Sequence, residues 1–193
     1  MTTPPDASDE RASAVRQRTR RAILEAAVSV WAHDFAASLG DIAQAAEVSR
    51  STLHRYFPDR QALLDAALTD AVQRMDQAYE RTIGACSSPA QELEGLLRVS
   101  VQLGDVVVFL FTDPSRFTSH PDWPGEESDP VMLDLLRRAQ EDGAIADDLD
   151  TDWLISVYYS LVWAAAQAIS SGTMPPHVAA DVAVRTFFRG VGA

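Results

Sequence analysis

The sequence contains no lysine, and all 16 of its basic residues are arginine. Its single cysteine, Cys86, excludes an intrachain disulfide, and no group of Cys and His residues has the spacing of a metal site. Residues 1–21 contain no apolar segment that would serve as a signal sequence. We therefore expect a cytoplasmic protein without a bound metal or cofactor.

Long apolar runs are also scarce. The most apolar one, residues 153–169, contains Ser156, Ser160 and Gln167 and follows acidic residues rather than arginines. A membrane-spanning helix needs about 20 mainly apolar residues, and basic residues mark its cytoplasmic end. We interpret this run as a buried helix and expect no membrane contact.

The motifs that mark common active sites are missing as well. The chain has no Gly-x-Ser-x-Gly elbow, no glycine-rich phosphate loop, and no histidine at a recognisable spacing from a nucleophile. The acidic pair Glu126 and Glu127 lies in a predicted loop without a partner. The sequence therefore predicts that the protein is not an enzyme.

Negative charge dominates the whole chain but not its N-terminal part. The formal net charge is -12 at pH 7, yet residues 11–60 carry eight arginines and only five acidic residues. Residues 61–193 carry eight arginines and twenty acidic residues. Because charges act within a Debye length of about 8–10 Å, a locally basic region can bind DNA on an acidic protein.

Two short helices separated by a tight turn are predicted within residues 38–60. Ser38 offers the side-chain oxygen of an N-cap, and Asp41 lies three residues later, as in a capping box. After the turn, Ser49 is a second N-cap, and Leu53 begins the inner face of the second helix. This pattern predicts a helix-turn-helix.

The outer face of the second helix carries hydrogen-bond donors. Arginine can donate two hydrogen bonds to a guanine edge or to a phosphate, and hydroxyl and imidazole groups can donate to phosphate oxygens. Pro58 disfavours helical geometry before it, and Arg60 then lies in the first turn of a third helix, where free backbone amides favour an anion. We predict DNA contacts from these residues: Ser38, Ser49, Arg50, Ser51, Thr52, His54, Arg55, Tyr56 and Arg60.

This stretch resembles the DNA-binding head of the TetR family of bacterial transcriptional regulators, over about residues 16–66. The family pattern is matched by Ile42-Ala43, Ala46 to Ser49, Thr52-Leu53, His54 to Phe57, Arg60 and Leu63-Leu64. Glu47 stands where the family most often has the turn glycine, His54 where it usually has tyrosine, and Arg60 where lysine is commoner. A left-handed backbone at Glu47 would cost on the order of 1 kcal/mol.

The resemblance and the helical spacing together predict an all-α fold, with an N-terminal three-helix helix-turn-helix head and a larger helical ligand-binding and dimerisation body. We place a polar arm at residues 1–12, the head at 13–58 and the body at 59–193, with a connecting helix at 59–82. The first helix is expected over about 14–33. Its arginines are interpreted either as DNA-backbone contacts or as a solvated helix start: Arg16, Arg18, Arg20 and Arg21.

The later part of the chain alternates helical spacing with breakers. Gly104 disfavours one unbroken helix after Pro89, and the four prolines of residues 112–130 predict an irregular segment. Aromatic and apolar side chains of the body are candidates for a ligand cavity, although each also suits core packing. They are Phe109, Phe111, Phe117, Met132, Trp153, Tyr158, Tyr159 and Trp163.

The last two predicted helices, about 150–171 and 176–190, carry more apolar surface than one body covers. Such surface predicts a four-helix interface with a second copy. In TetR-like proteins the last two helices form the dimer, and the resemblance implies the same here. The predicted interface residues are Val157, Leu161, Val178, Val182 and Phe187.

The resemblance implies a sequence-specific DNA-binding transcriptional regulator. We expect a homodimeric repressor that a small apolar or amphipathic effector releases from a palindromic double-stranded DNA operator. Two alternatives stay open: an activator on the same fold, and a non-catalytic helical interaction or scaffold module. The scaffold would explain the apolar terminal helices but not the donor face of Arg50 to Arg60.

Overall fold

A computed structural model describes residues 7–118, 120–123 and 130–192, and within these ranges the regular structure is helical. The predicted all-α fold is confirmed. The helices are α1 (Ala7–His33), α2 (Leu39–Ala45), α3 (Arg50–Tyr56), α4 (Arg60–Ile83), α5 (Pro89–Gln102), α6 (Gly104–Phe111), α7 (Pro130–Glu141), α8 (Thr151–Ser170) and α9 (Pro176–Val191), with a 3₁₀ turn at Pro114–Arg116.

The first helix begins at Ala7, earlier than the predicted 14, so residues 7–12 of the predicted polar arm are helical. The residues responsible are good helix formers, because Ala7, Ala12 and Ala14 have high propensity and the acids Asp9 and Glu10 suit a helix N-terminus. Residues 1–6 of that arm, like Glu126 and Glu127, lie outside the described residues.

The chain divides into two compact units, Met1–Asp70 and Ala71–Ala193, and the division falls within α4. In the first unit, the buried side of α1 includes Ile23, Leu24 and Trp31. The residues Ile42 of α2 and Leu53 of α3 are fully buried. This core fixes the two short helices of the predicted helix-turn-helix.

In the second unit, α8 packs against α5, α6, α7 and α9. Its buried side includes Leu154, Tyr158 and Val162. The approach of α6 to α8 is close, because a Cβ on Gly104 would lie 2.9 Å from Ala166 Cβ. The helix break expected at Gly104 is confirmed, since α5 ends before it and α6 begins on it.

The interpretation of α8 as buried is wrong for one of its sides. Trp153 is 60% exposed and Trp163 is 53% exposed. By length and composition alone α8 would also qualify as a membrane span, a test that core helices of soluble proteins pass too. Its packing against four other helices accounts for the apolar residues of its buried side.

Candidate functional site

Helix α2 begins with the predicted capping box. The Asp41 backbone N–H donates to Ser38 Oγ at 3.3 Å, and the Asp41 carboxylate accepts from the Ser38 backbone N–H at 2.8 Å. The Ser38 hydroxyl also donates to that carboxylate at 2.7 Å. These hydrogen bonds lower the pKa of the Asp41 carboxyl, so the cap keeps its charged acceptor at neutral pH.

The turn between α2 and α3 has a left-handed residue at Glu47, where the TetR family most often has the turn glycine. Glu47 has φ +55°, and the Val48 backbone N–H donates to Ala43 O at 2.9 Å. Ser49 then caps α3 by accepting from the Thr52 backbone N–H at 3.1 Å, while its hydroxyl lies 2.9 Å from that of Ser51. The turn therefore sets the direction in which α3 leaves α2.

Helix α3 buries Leu53 and presents its polar side chains outward. Arg50, Ser51, His54 and Arg55 are exposed, and Thr52 and Tyr56 are half-buried. The Arg55 guanidinium lies 5.7 Å from the centre of the Tyr56 ring. Six of the predicted donors thus share one small helix whose inner side is fixed in the core.

Arg50 also borders α2. A Cβ on Gly40 would lie 2.6 Å from Arg50 Nη2, so the guanidinium occupies space that only glycine leaves open. A small cleft of 210 Å³ lies here, lined by Ser38, Leu39, Gly40, Arg50, Leu53 and His54. Hydroxyl, guanidinium and imidazole side chains therefore line one cleft between α2 and α3.

Arg60 does not present its side chain in the way that the sequence analysis expected. Its guanidinium donates to Ala37 O at 2.5 Å and to Phe35 O. It also lies 4.8 Å from the centre of the Trp31 ring and 5.1 Å from that of Phe35. Carbonyls and rings of the first unit already surround the charge, so the phosphate contact expected from the sequence stays a prediction that has to compete with them.

The arginines of α1 differ in their surroundings. Arg16 and Arg18 are exposed and donate to carbonyls of their own helix at 3.3 Å and 3.4 Å. Arg20 lies 5.6 Å from the centre of the Phe57 ring, and Arg21 pairs with Glu25 at 2.9 Å. Exposed positive charge is therefore present on α1 as well as on α3.

The second unit contains a groove between α6 and α8 with a volume of 630 Å³. It includes three of the predicted ligand-pocket residues, namely Phe111, Tyr159 and Trp163. The Phe111 ring centre lies 5.5 Å from that of Tyr159. The groove is mainly apolar and aromatic, with the hydroxyls of Thr112 and Ser160 at its wall.

The other five predicted pocket residues do not line this groove. Phe109, Phe117, Met132 and Tyr158 are at most 2% exposed and pack in the core of the fold. Trp153 lies on the surface instead. Aromatic character alone does not separate lining from core residues, because buried Phe109 and lining Phe111 are both on α6, and buried Tyr158 and lining Tyr159 are both on α8.

Sequence reasoning missed five lining residues. They are Val107 and Val108 on α6, Thr112 at its C-cap, and Ser160 and Ala164 on α8. A spacing of four relates Val108 to Thr112, Ser160 to Ala164, and Val107 to Phe111, which was already predicted. This spacing was present in the sequence. It became informative only once α6 and α8 were known to be neighbours.

The predicted dimer residues also divide into two groups. Val178 is 37% exposed, and Val157, Leu161 and Val182 are half-buried. Phe187 is fully buried within its own chain, where its ring packs edge-on to Tyr158 at 6.2 Å. The assignment of Phe187 to an interface is therefore wrong, since no surface of it is left for a second copy.

Within the ranges that the structure describes, no group of His, Cys, Asp and Glu residues could hold a metal ion. The first unit instead presents exposed donors on the second of two short helices, joined by a tight turn and supported by α1. That arrangement defines a helix-turn-helix DNA-binding protein.

The comparisons with known proteins agree with this class. The family model of the bacterial regulatory proteins of the tetR family matches residues 23–67. The HTH-type transcriptional repressor LfrR of Mycolicibacterium smegmatis is 33% identical over 181 residues, which are 93% of each chain. The chain belongs to the TetR family, and it is a DNA-binding transcriptional regulator rather than an enzyme.

Solved structures show the same fold over nearly the whole chain. LfrR from Mycobacterium smegmatis is similar with a TM-score of 0.74 and 30% identity, covering 93% of this chain and 99% of that one. Its complex with proflavine gives a TM-score of 0.69 at 32% identity, with the same coverage. The ketosteroid regulator KstR2 of Mycobacterium tuberculosis, at 20% identity and a TM-score of 0.70, shares the fold over 90% of this chain and 95% of its own.

Proposed function

We propose that this regulator is a repressor that a small, flat, mainly apolar ligand releases from a palindromic operator. The observation that carries the proposal is the exposed donor face of α3, held by two caps and a buried Leu53. Such a face, supported from behind, is what the major groove of DNA accepts. Binding to chromosomal DNA implies a cytoplasmic location.

Arg50 and Thr52 are proposed to read base edges, and the exposed arginines of α1 to contact phosphates. Arg50 lies at the first turn of α3, the part of a recognition helix that reaches the bases. Arg50→Ala or Thr52→Ala should relax preference at particular base pairs by about 1–3 kcal/mol. An unchanged preference in a binding-site selection would remove both residues from the reading face.

The ligand is proposed to bind in the groove between α6 and α8. Phe111, Tyr159 and Trp163 line the groove, and the hydroxyls of Thr112 and Ser160 provide polar contacts. This lining suits a flat aromatic molecule. Support comes from LfrR, whose structure was solved with proflavine, a flat aromatic compound.

Two copies are proposed to pair through the exposed apolar sides of α8 and α9. Trp153 and Val178 are exposed there, and Leu161 and Val182 are half-buried. A symmetric pair would place two α3 helices on half-sites about 34 Å apart, one turn of DNA. Ligand binding would then act by shifting the population of a second arrangement, and a shift from 1:99 to 99:1 requires about 5.5 kcal/mol of preference.

The test is selection of bound sequences from a random pool of duplex DNA with the purified full-length protein. A palindromic consensus with half-sites one turn apart is the expected result, and a lone half-site or no enrichment would contradict the proposal. A reporter gene behind the selected sequence distinguishes repression from activation. Proflavine added to the protein–DNA complex then tests release.

A further inference from the structure

Three hydroxyl groups form a continuous hydrogen-bonded network inside the second unit. Tyr79 Oη lies 2.7 Å from Ser100 Oγ, and Ser100 Oγ lies 2.8 Å from Tyr158 Oη. Ser100 and Tyr158 are fully buried and Tyr79 is 9% exposed. Among the described residues, Ser100 is the buried polar side chain in a core that is otherwise apolar.

This hydroxyl network joins three helices. Tyr79 belongs to α4, Ser100 to α5 and Tyr158 to α8. Burial raises the pKa of the Tyr158 phenol well above its usual range, so its hydroxyl keeps its proton. Buried hydroxyls of this kind are satisfied only while their helices keep one register, because a hydrogen bond is lost beyond about 3.5 Å.

The hydroxyl network also lies next to the groove between α6 and α8. The Tyr158 ring packs edge-on to the Tyr159 ring, with centres 5.3 Å apart and an angle of 85° between the ring planes. Tyr159 lines the groove and also contacts Phe111. A ligand that displaces the Tyr159 ring therefore acts on the side chain next to it, and a shift of less than about 1 Å separates Tyr158 from Ser100.

We propose that Tyr79, Ser100 and Tyr158 form the latch through which groove occupancy changes the position of α4. With the latch closed, α4 is held in the arrangement that binds DNA. With the groove filled, Tyr158 leaves Ser100 and α4 is released at Tyr79. This inference rests on the proposed function, since it specifies how that groove regulates DNA binding.

Three substitutions that nearly preserve shape test the latch: Tyr79→Phe, Ser100→Ala and Tyr158→Phe each remove one hydroxyl. The matched control is Ser156→Ala, which removes an exposed hydroxyl of α8 that donates to Asp152 O at 2.9 Å. The two tyrosine variants keep the aromatic ring, so they remain informative if Ser100→Ala fails to fold.

The first measurement is hydrogen exchange of the backbone amides of residues 71–83 in the protein without DNA or ligand. Each latch variant should exchange about tenfold faster in this segment, which corresponds to the loss of one net hydrogen bond. The double variant Tyr79→Phe/Tyr158→Phe should exchange no faster than either single one, because the hydroxyls act as a unit. Exchange at the wild-type rate in all three variants would overturn the proposal.

The second measurement is affinity for the duplex obtained by selection, with and without proflavine. The latch variants should bind DNA about tenfold more weakly than wild type, and proflavine should change their affinity by less than about twofold while it releases the wild type. Because proflavine also intercalates into duplex DNA, release is judged relative to the groove variant Phe111→Ala. Release of the latch variants that equals that of wild type and exceeds that of Phe111→Ala would overturn the latch but leave the proposed function standing. A wild type that binds no duplex would refute the proposed function, and the exchange result would still decide whether the hydroxyls hold α4.

Discussion

The side chain of Arg60 is held by two backbone carbonyls and two aromatic rings of the first unit. It donates to Ala37 O and Phe35 O and lies over Trp31 and Phe35. Both carbonyls follow the end of α1, in the segment that leads into α2. The guanidinium therefore ties the start of α4 to that segment, a task that suits the planar fork of arginine better than an ammonium group.

Arg60→Ala should destabilise the protein by about 2–4 kcal/mol, because two charge-assisted hydrogen bonds and the ring contacts are lost together. Arg60→Lys should recover only part of this. Urea denaturation followed by circular dichroism measures both. Arg55→Ala, an exposed arginine on α3, is the control and should lie within about 0.5 kcal/mol of wild type. If Arg60→Ala kept full stability and only lost DNA affinity, the phosphate role expected from the sequence would be restored.

Glu47 carries backbone strain in the turn of the helix-turn-helix. Its φ of +55° is a conformation that glycine adopts freely. Glu47→Gly should stabilise the protein by about 0.5–1 kcal/mol, the relief of strain less the added freedom of the unfolded chain. Glu47→Ala keeps the strain and serves as the comparison in the same denaturation series. A Glu47→Gly variant less stable than Glu47→Ala would show that the glutamate side chain has a role in the turn.

At the scale of helices, the predictions that held depended on local chemistry. The caps at Ser38 and Ser49 and the break at Gly104 each depend on residues within a few positions, so they could be predicted from the sequence. The left-handed turn at Glu47 was indicated only by the family resemblance, because a glutamate does not favour that conformation. Which sides of α8 and α9 are buried depends on which helices pack against them. Periodicity could not separate Trp163, which lines a groove, from Tyr158, which is buried. The contacts of Arg60 likewise involve residues more than twenty positions away.

The close approach of α6 to α8 at Gly104 and Ala166 gives a test of helix packing. Gly104→Ala would place a Cβ 2.9 Å from Ala166 Cβ, so the helices must separate. We expect destabilisation of about 1–3 kcal/mol, measured by thermal unfolding. The control is Gly190→Ala on α9, where a Cβ would meet nothing within 4 Å. That variant should be neutral or more stable by up to about 1 kcal/mol, since alanine favours a helix.

At the scale of the whole molecule, positive and negative charge are concentrated in different parts of the chain. Residues 11–60 carry a net charge of +3, whereas the net charge of the whole chain is -12. Attraction to DNA must therefore come from a small cationic surface on α1 and α3 and not from net charge. An interaction of this kind is short-ranged and sensitive to screening.

DNA affinity should accordingly fall linearly with salt on logarithmic axes, and Arg18→Ala should reduce the slope by about 1 because one phosphate contact is lost. Arg137→Ala, which removes an exposed charge from α7 in the second unit, is the control and should leave the slope unchanged. Fluorescence anisotropy of a labelled duplex across a salt series measures both. Equal slopes for wild type and Arg18→Ala would assign the α1 arginines to a solvated helix start.

The exposure of the indoles on α8 gives the molecule an optical reporter of its own. Trp31 is 1% exposed and should emit at short wavelengths at any concentration, whereas Trp153 and Trp163 emit from water in a single chain. Pairing through the side of α8 that carries Trp153 would remove water from that indole. Intrinsic emission should therefore shift to the blue as the protein is concentrated, without any label or any DNA.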